Sequence, residues 1–421
     1  MKQNKYFIKI EWVLSFFLIA FFVLELINNR FWLNDFKVYY LAVQNFNKGL
    51  PIYGIPFGLD SGYYKYTPFA LIPFTPFGFL PYIIASSIYY FIIAAAVILV
   101  LRLSIQTIKF AFPIVDIKSQ AIIYLTTLVI LTHIYRELHM GNVNLLLTLI
   151  YVFSLRSLLY DKQITAGIFI GLGMLFKPHF IALLPFLIIY RKYKCTGFTL
   201  ITLVVGLLLP AIFVGFKANN ELLNSWVGMM KMHNINLSTS PDTIYAWINK
   251  LFSVFNIQFQ GTIYVLILVA IISIKYLVFI LLNKNKEKDI ETAKVRSFNR
   301  MHFTITYLMI IAFIPNLTVT DSQHYLFCLP LIILLIGYLL NNNKIPITIK
   351  IIAIIGLVFY GGNWHDLLGH NLSVYLTNNG FLGAGNMIIV AISGWIFLID
   401  NDIIKTIITS FKKKPIVNKI S

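Results

Sequence analysis

One carboxylate, Asp35, and four basic side chains, Arg136, His139, Lys177 and His324, stand at the edges of long apolar runs. An ionisable group beside hydrocarbon is costly, which makes each a candidate for function. Asp35 follows the first apolar run and could take a proton from a hydroxyl as a general base. The cations suit a phosphate. Together they fit attack of an acceptor hydroxyl on a sugar carried by a phosphate lipid. The leaving phosphate needs no protonated acid, so the second carboxylate of a glycosidase is unnecessary. Each residue also has a plainer reading. Asp35 suits the first turn of a helix. Lys177 could snorkel at a tight turn, Arg136 and His139 could anchor at the interface, and His324 could be a satisfied structural histidine.

Other chemistries lack their residues. There is no glycine-rich phosphate loop for nucleotide hydrolysis. No Asp-x-Asp pair in a soluble region offers a metal site for a nucleotide sugar, and no paired acids lie mid-run for an ion-coupled transporter. The net charge of +18 would point to nucleic acid in a soluble protein, but no zinc spacing or RNA-binding signature accompanies it. Cys195 and Cys328 have no metal-ligand partner at motif spacing and read as small apolar fillers.

The elements that must position these residues are membrane helices. Apolar residues make up 58% of the chain and charged residues 12%, with a mean hydropathy of +0.79. Candidate spans are 10–27, 82–101, 119–135, 141–160, 195–215, 261–282, 302–319, 323–340, 345–361 and 384–402, with shorter runs at 163–176 and 178–191. Residues 69–80, broken by proline, read as re-entrant or interfacial. The expectation is an all-α polytopic transmembrane bundle of about 11 to 13 spans, forming one unit over residues 1–421. A basic start without a small-residue cleavage site reads as a retained first helix.

Positive charge sets the orientation. Lys2, Lys5 and Lys9, the cluster from Lys284 to Arg300, and Lys412, Lys413 and Lys414 fall on one side of the alternating map, with fewer on the other. That places both termini in the cytoplasm of a cell (inner) membrane. The longer loops, about 28–68, 217–260 and 362–383, then face outside and carry the working surface. In the first of them Phe36, Tyr39, Tyr40, Val43 and Phe46 recur at helical spacing. This predicts a short interfacial helix with its aromatic face toward lipid.

The order of several short motifs adds a resemblance. Asp35-Phe36-Lys37-Val38-Tyr39-Tyr40 is followed by Gly49-Leu50-Pro51-Ile52-Tyr53 and Tyr66-Thr67-Pro68. Then come Gly141-Asn142-Val143-Asn144, Lys177-Pro178 and Gln323-His324-Tyr325. This order resembles glycosyltransferase family 87, also called domain of unknown function 2029, best over residues 30–190. It is similar to polyprenol-phosphate-mannose-dependent α-mannosyltransferases of the C-type fold. Gly-Asn-x-Asn stands where the family usually has Gly-Gln-x-Asn, and Tyr-Thr-Pro where it has Tyr-Pro-Pro.

The resemblance implies Asp35 as general base, with Lys177 and His324 near the donor phosphate. Arg136 and His139 join them as candidate phosphate ligands, and Tyr39, Tyr66, Asn142 and Asn144 as candidate substrate contacts. It implies inverting transfer of a hexose, mannose foremost, from a polyprenyl-phosphate carrier to a glycolipid or surface-glycan acceptor. The expected partners are that donor, that acceptor and the bilayer, with no nucleic acid, no metal and no cofactor. Two rivals use similar residues: a transporter or flippase of a lipid-linked sugar, and a polymerase or ligase using a diphosphate-linked donor.

Overall fold

The computed structural model describes residues 5–57, 62–113, 120–233, 240–255 and 293–400. The expected span at 261–282 and most of the basic loop at 283–300 lie outside the described residues, as do Asp60 and the chain beyond 400. A long apolar backbone in lipid must satisfy its own N–H and C=O groups, which favours helix throughout. No strand occurs among the described residues; one isolated bridge joins Pro56 to Tyr63.

The helices are α1 (Lys5–Ile27), α2 (Asn34–Asn47), α3 (Tyr82–Ala111), α4 (Gln120–Met140), α5 (Asn144–Leu159), α6 (Gln163–Phe176), α7 (Leu183–Ile189) and α8 (Tyr193–Leu208). They continue as α9 (Ala211–Val214), α10 (Phe216–His233), α11 (Ile244–Val254), α12 (Ala293–Phe313), α13 (Leu329–Asn341), α14 (Ile347–Gly361), α15 (His365–Asn378) and α16 (Phe381–Asp400). Tight 3-10 turns occupy Pro68–Phe79, Pro178–Ala182, Ile314–Leu317 and Ser322–Cys328. The chain is an all-α polytopic membrane protein.

Fewer helices among the described residues are long enough to cross than the apolar runs alone suggest. Among the described residues, Tyr82–Ala111, Gln120–Met140, Tyr193–Val214 and Ser322–Asn341 are long and apolar enough to cross, and Leu367–Asn378 with Phe381–Phe397 forms a pair bent by 64°. Two expected spans are shorter helices, α5 with 16 residues and α14 with 15, and α6, expected as a shorter run, has 14. At 1.5 Å per residue these fall short of a ~30 Å hydrocarbon core. The break between α6 and α7 has a local cause. Lys177 precedes Pro178 and adopts extended φ/ψ of −130° and 95°, as the residue before proline prefers.

The span Ser322–Asn341 is the axis of the bundle, buried at every residue from Tyr325 to Tyr338. A helix apolar all round belongs inside, away from lipid. By contrast α8 leaves Leu200, Ile201, Val204, Val205 and Leu208 exposed, the surface a membrane would cover. Both cysteines are buried, in α8 and at the head of the central span, as expected of apolar fillers.

The aromatic face of α2 is a correction. Phe36, Tyr39, Tyr40, Val43 and Phe46 point into the protein and are buried, so the predicted lipid-facing stripe does not exist. The proline-broken segment Pro68–Phe79 and the start of α3 supply the reason. Phe36 stacks on Tyr89 at 4.4 Å between ring centroids and meets Phe77 edge-on at 5.4 Å. Tyr39 packs on Phe74 at 4.9 Å, and the Tyr40 hydroxyl donates to the Leu80 carbonyl at 2.8 Å. Offset and edge-to-face ring pairs of this kind fix α2 in position.

Helices α6 and α8 approach through small residues. A Cβ on Gly167 would collide with the Cys195 carbonyl oxygen, and one on Gly171 would lie 2.6 Å from Thr202 Cβ. The Thr199 hydroxyl donates to the Gly167 carbonyl at 3.1 Å. Without a hydrophobic drive inside lipid, such close backbone contact is what holds two helices together. Gly171→Leu is therefore expected to lower the melting temperature in detergent by several degrees. Gly197→Ala, where nothing lies within 4 Å of the added Cβ, should melt like the parent. Equal melting of Gly171→Leu and the parent would contradict this packing.

Candidate active site

The site is built on a glycine. Gly141 ends α4 with a φ of +70°, a left-handed conformation that costs other residues energy. A Cβ there would also lie 2.6 Å from Leu33 Cδ2 and 2.9 Å from Phe36 Cβ. The turn from α4 to α5 thus presses directly on the first turn of α2. It sets Asn142 against Asp35: the Asn142 Nδ2 donates to Asp35 Oδ2 at 2.5 Å. Asp35 is not a helix cap here, because Leu33 occupies the cap position and no side chain caps α2.

A hydrogen-bonded set extends from this pair. Asn142 Oδ1 accepts from the Val143 N–H at 2.7 Å and from the Tyr66 hydroxyl at 3.4 Å. The Tyr66 and Tyr39 hydroxyls meet at 3.0 Å. The Val143 bond fixes the sense of the Asn142 amide, so its NH2 must face the carboxylate.

A second set lies two residues along the same turn. Asn144 Nδ2 donates to Glu137 Oε2 at 2.8 Å, and the Leu145 N–H donates to Glu137 Oε1 at 2.9 Å. Lys177 Nζ donates to Asn144 Oδ1 at 2.6 Å and sits 5.8 Å from the Phe327 ring centroid. Glu137, Asn142, Asn144 and Lys177 are buried. Asp35, Lys65, Tyr66, His179, Asp242 and His324 each keep partial access to solvent.

The charges interact as a group. Burial is the main force on Asp35 and raises its carboxyl to about 6. The Asn142 hydrogen bond opposes this, Asp321 adds to it, and Lys65 and Lys177 counter it. Burial likewise pulls the Lys65 ammonium down, with Asp321 and Asp35 opposing. Asp242 is pushed up to about 7, chiefly by burial, with Arg136 lowering it and Asp321 raising it. His324 lies within electrostatic range of Lys177, His179, Lys65 and His233. The arrangement is a half-buried carboxylate within electrostatic reach of the Lys65 and Lys177 side chains, able to accept a proton and to hold an anion beside it.

Of the residues predicted from sequence, Asp35, Tyr39, Tyr66 and Asn142 form one hydrogen-bonded set, and Asn144 and Lys177 another. His324 shares their field, with its Nδ1 2.6 Å from the Thr320 hydroxyl. Arg136 stands to one side, donating to Gln323 Oε1 at 3.0 Å with Asp321 at 4.0 Å. His139 is engaged elsewhere: its Nδ1 lies 2.7 Å from Glu25 Oε2, and its ring stacks on Tyr135. Sequence reasoning assigned no role to Glu137, Lys65, His179, His233, Asp242 or Asp321. His179 follows Lys177-Pro178 directly, a signal that was available. Glu137 had no spacing rule to find it, because its contacts depend on the turn at Gly141.

Family comparison agrees with the motif order. A model of glycosyltransferase family 87 matches residues 64–296. The α-(1→3)-arabinofuranosyltransferase of Corynebacterium glutamicum is 27% identical over 207 residues, 48% of this chain and 46% of that protein. The α-(1→3)-arabinofuranosyltransferase of Mycobacterium tuberculosis is 28% identical over 185 residues, 42% of this chain and 40% of that protein. The chain therefore matches less than half the length of these relatives. No solved structure matches it. Asp35 and Tyr39 precede the family match and His324 follows it, so geometry alone joins them to the rest. The relatives give no support to mannose, since arabinofuranose is the sugar their descriptions carry. The family match covers more than half the chain, and this multi-pass membrane protein belongs to glycosyltransferase family 87.

Proposed function

We propose that the chain transfers a sugar from a polyprenyl-phosphate carrier to a hydroxyl of a glycolipid or glycan acceptor, on the extracytoplasmic side of the cell membrane. The observation that carries this is the half-buried Asp35 carboxylate, held by the Asn142 amide and within electrostatic reach of Lys65 and Lys177. Asp35 takes the acceptor hydroxyl proton as that oxygen attacks the anomeric carbon. The bond from that carbon to the phosphate oxygen breaks, and the phosphate keeps the electron pair. Lys177 and His324 stabilise the charge that develops there. One displacement inverts the anomeric centre. Tyr39 and Tyr66 line the approach to Asp35, and Asn142 holds its carboxylate toward the acceptor.

The sidedness rests on positive charge: the clusters at Lys2–Lys9 and Lys412–Lys414 belong in the cytoplasm and leave the Asp35 face outside. We read the 421 residues as one catalytic unit. For the sugar, the relatives weigh toward a pentofuranose, and mannose stands as the second donor to test.

Purified protein in nanodiscs, given synthetic polyprenyl-phosphate arabinofuranose or mannose and a glycolipid extract, should release polyprenyl phosphate. Asp35→Asn should lower that rate about 10²- to 10⁴-fold while the protein melts normally. Equal turnover in both would remove Asp35 from the mechanism. Transport of donor across the bilayer, without transfer and unchanged in Asp35→Asn, would establish a flippase instead.

The pH dependence has a defined sign. A carboxyl raised to about 6 is a competent base above that pH and is lost as pH falls through it. The rate should therefore show an acid limb near 6, falling about tenfold per unit below it. Asn142→Ala removes the hydrogen bond that favours the charged form, so its limb should move to higher pH. A limb at the same pH in Asn142→Ala would assign it to another group.

A further inference from the structure

We infer that Glu137 is a positioning residue for the lysine that meets the donor phosphate. The inference rests on the transferase reading above and adds a residue to it. The Glu137 carboxylate is fully buried at the end of α4 and uses both of its oxygens. One accepts the Leu145 N–H in the first turn of α5, at 2.9 Å. The other accepts the Asn144 Nδ2, at 2.8 Å. The Asn144 amide has its own second partner, the Lys177 ammonium, which donates to Oδ1 at 2.6 Å.

This chain of bonds has only one consistent sense. A carboxylate accepts and cannot donate; an ammonium donates and cannot accept. The amide between them must therefore turn its NH2 to Glu137 and its carbonyl to Lys177. Reversing it would set amino group against ammonium and carbonyl against carboxylate. In a buried site each such clash leaves polar groups unsatisfied. Glu137 thus orients Asn144, and Asn144 holds the ammonium where the two short helices α6 and α7 meet. The carboxylate also supplies the negative charge that makes a buried cation tolerable before phosphate arrives.

The backbone adds to this. The Glu137 carbonyl accepts from the Gly141 N–H at 2.9 Å and from the Asn142 N–H at 3.3 Å. One residue therefore holds the turn from both ends: its carbonyl secures the exit of α4 and its carboxylate caps α5. A residue that did only this would be structural. The two roles separate in Glu137→Gln. Glutamine keeps an oxygen for the Leu145 N–H, so the cap survives. Its new amino group opposes the Asn144 amino group, and the amide must turn over, presenting NH2 to Lys177. The double variant Glu137→Gln with Asn144→Asp pairs a donor with an acceptor at every bond again, with the bond between residues 137 and 144 running in the opposite sense. The introduced glutamine then donates to the introduced carboxylate, which accepts from Lys177, and the net charge of the three is that of the parent.

The experiment compares parent, Glu137→Gln and the double variant in nanodiscs. It measures binding of synthetic polyprenyl monophosphate, and KM and kcat for the polyprenyl-phosphate sugar. The expected result is weaker phosphate binding and a raised KM in Glu137→Gln, by about tenfold, the order of one charge-assisted hydrogen bond. The double variant should recover most of that loss. Parent-like binding in Glu137→Gln would overturn the inference. So would a double variant no tighter than the single one while both melt like the parent, because a capping role alone predicts no rescue by Asn144→Asp. If the parent itself binds no polyprenyl monophosphate, the transferase reading fails. The orientation is then decided by melting: a lowered melting point in Glu137→Gln that the double variant regains supports it, and no regain overturns it.

Discussion

A buried charge in a membrane protein has neither water nor lipid headgroups to solvate it, so the protein must supply the dipoles itself. Here two amides do so. Asn142 turns its NH2 toward the Asp35 carboxylate, and Asn144 turns its carbonyl toward the Lys177 ammonium. They are two residues apart on one turn and face opposite charges because their other ends are already committed, to the Val143 N–H and to Glu137. The rest of the site follows from this turn. It exists in its present form because Gly141 takes a positive φ and leaves room for Leu33 and Phe36.

The scaffold around the turn is rigid where the chemistry needs it. Helix α2 is pinned by stacked and edge-on rings from Phe74, Phe77 and Tyr89. The Thr67 hydroxyl ties the first loop to the Leu175 carbonyl at 2.6 Å, just before Lys177. The Trp226 indole N–H from α10 holds the Lys65 carbonyl at 3.1 Å. Segments far apart in the chain are thereby joined around one carboxylate. His324 enters from the head of the central span, which is buried from Tyr325 to Tyr338 and so gives it a fixed base.

Much of this was legible in the sequence. Composition and apolar runs gave the membrane class, and the motif order gave the family and most of the residues that meet at the turn. What failed did so for physical reasons. The period of Phe36, Tyr39, Tyr40, Val43 and Phe46 marks an apolar face but cannot say whether lipid or protein covers it, and here Pro68–Phe79 does. Hydropathy found α5 and α14 but overstated them as full spans, because apolarity is independent of helix length. His139 looked like a phosphate ligand by position, yet Glu25, far earlier in the chain, holds it. Glu137 stood out only as an ionisable residue near the end of an apolar run, and its role could not be read because its partners are assembled by a turn that spacing rules do not describe.

The most direct test of this account is a structure of the protein in nanodiscs with a polyprenyl-phosphate sugar bound, trapped in the Asp35→Asn variant. The account predicts the phosphate within hydrogen-bonding distance of Lys177 and His324, with the anomeric carbon facing residue 35 across the Gly141–Asn144 turn. A donor phosphate seated instead against Arg136 and His139, with residue 35 remote from the sugar, would contradict it.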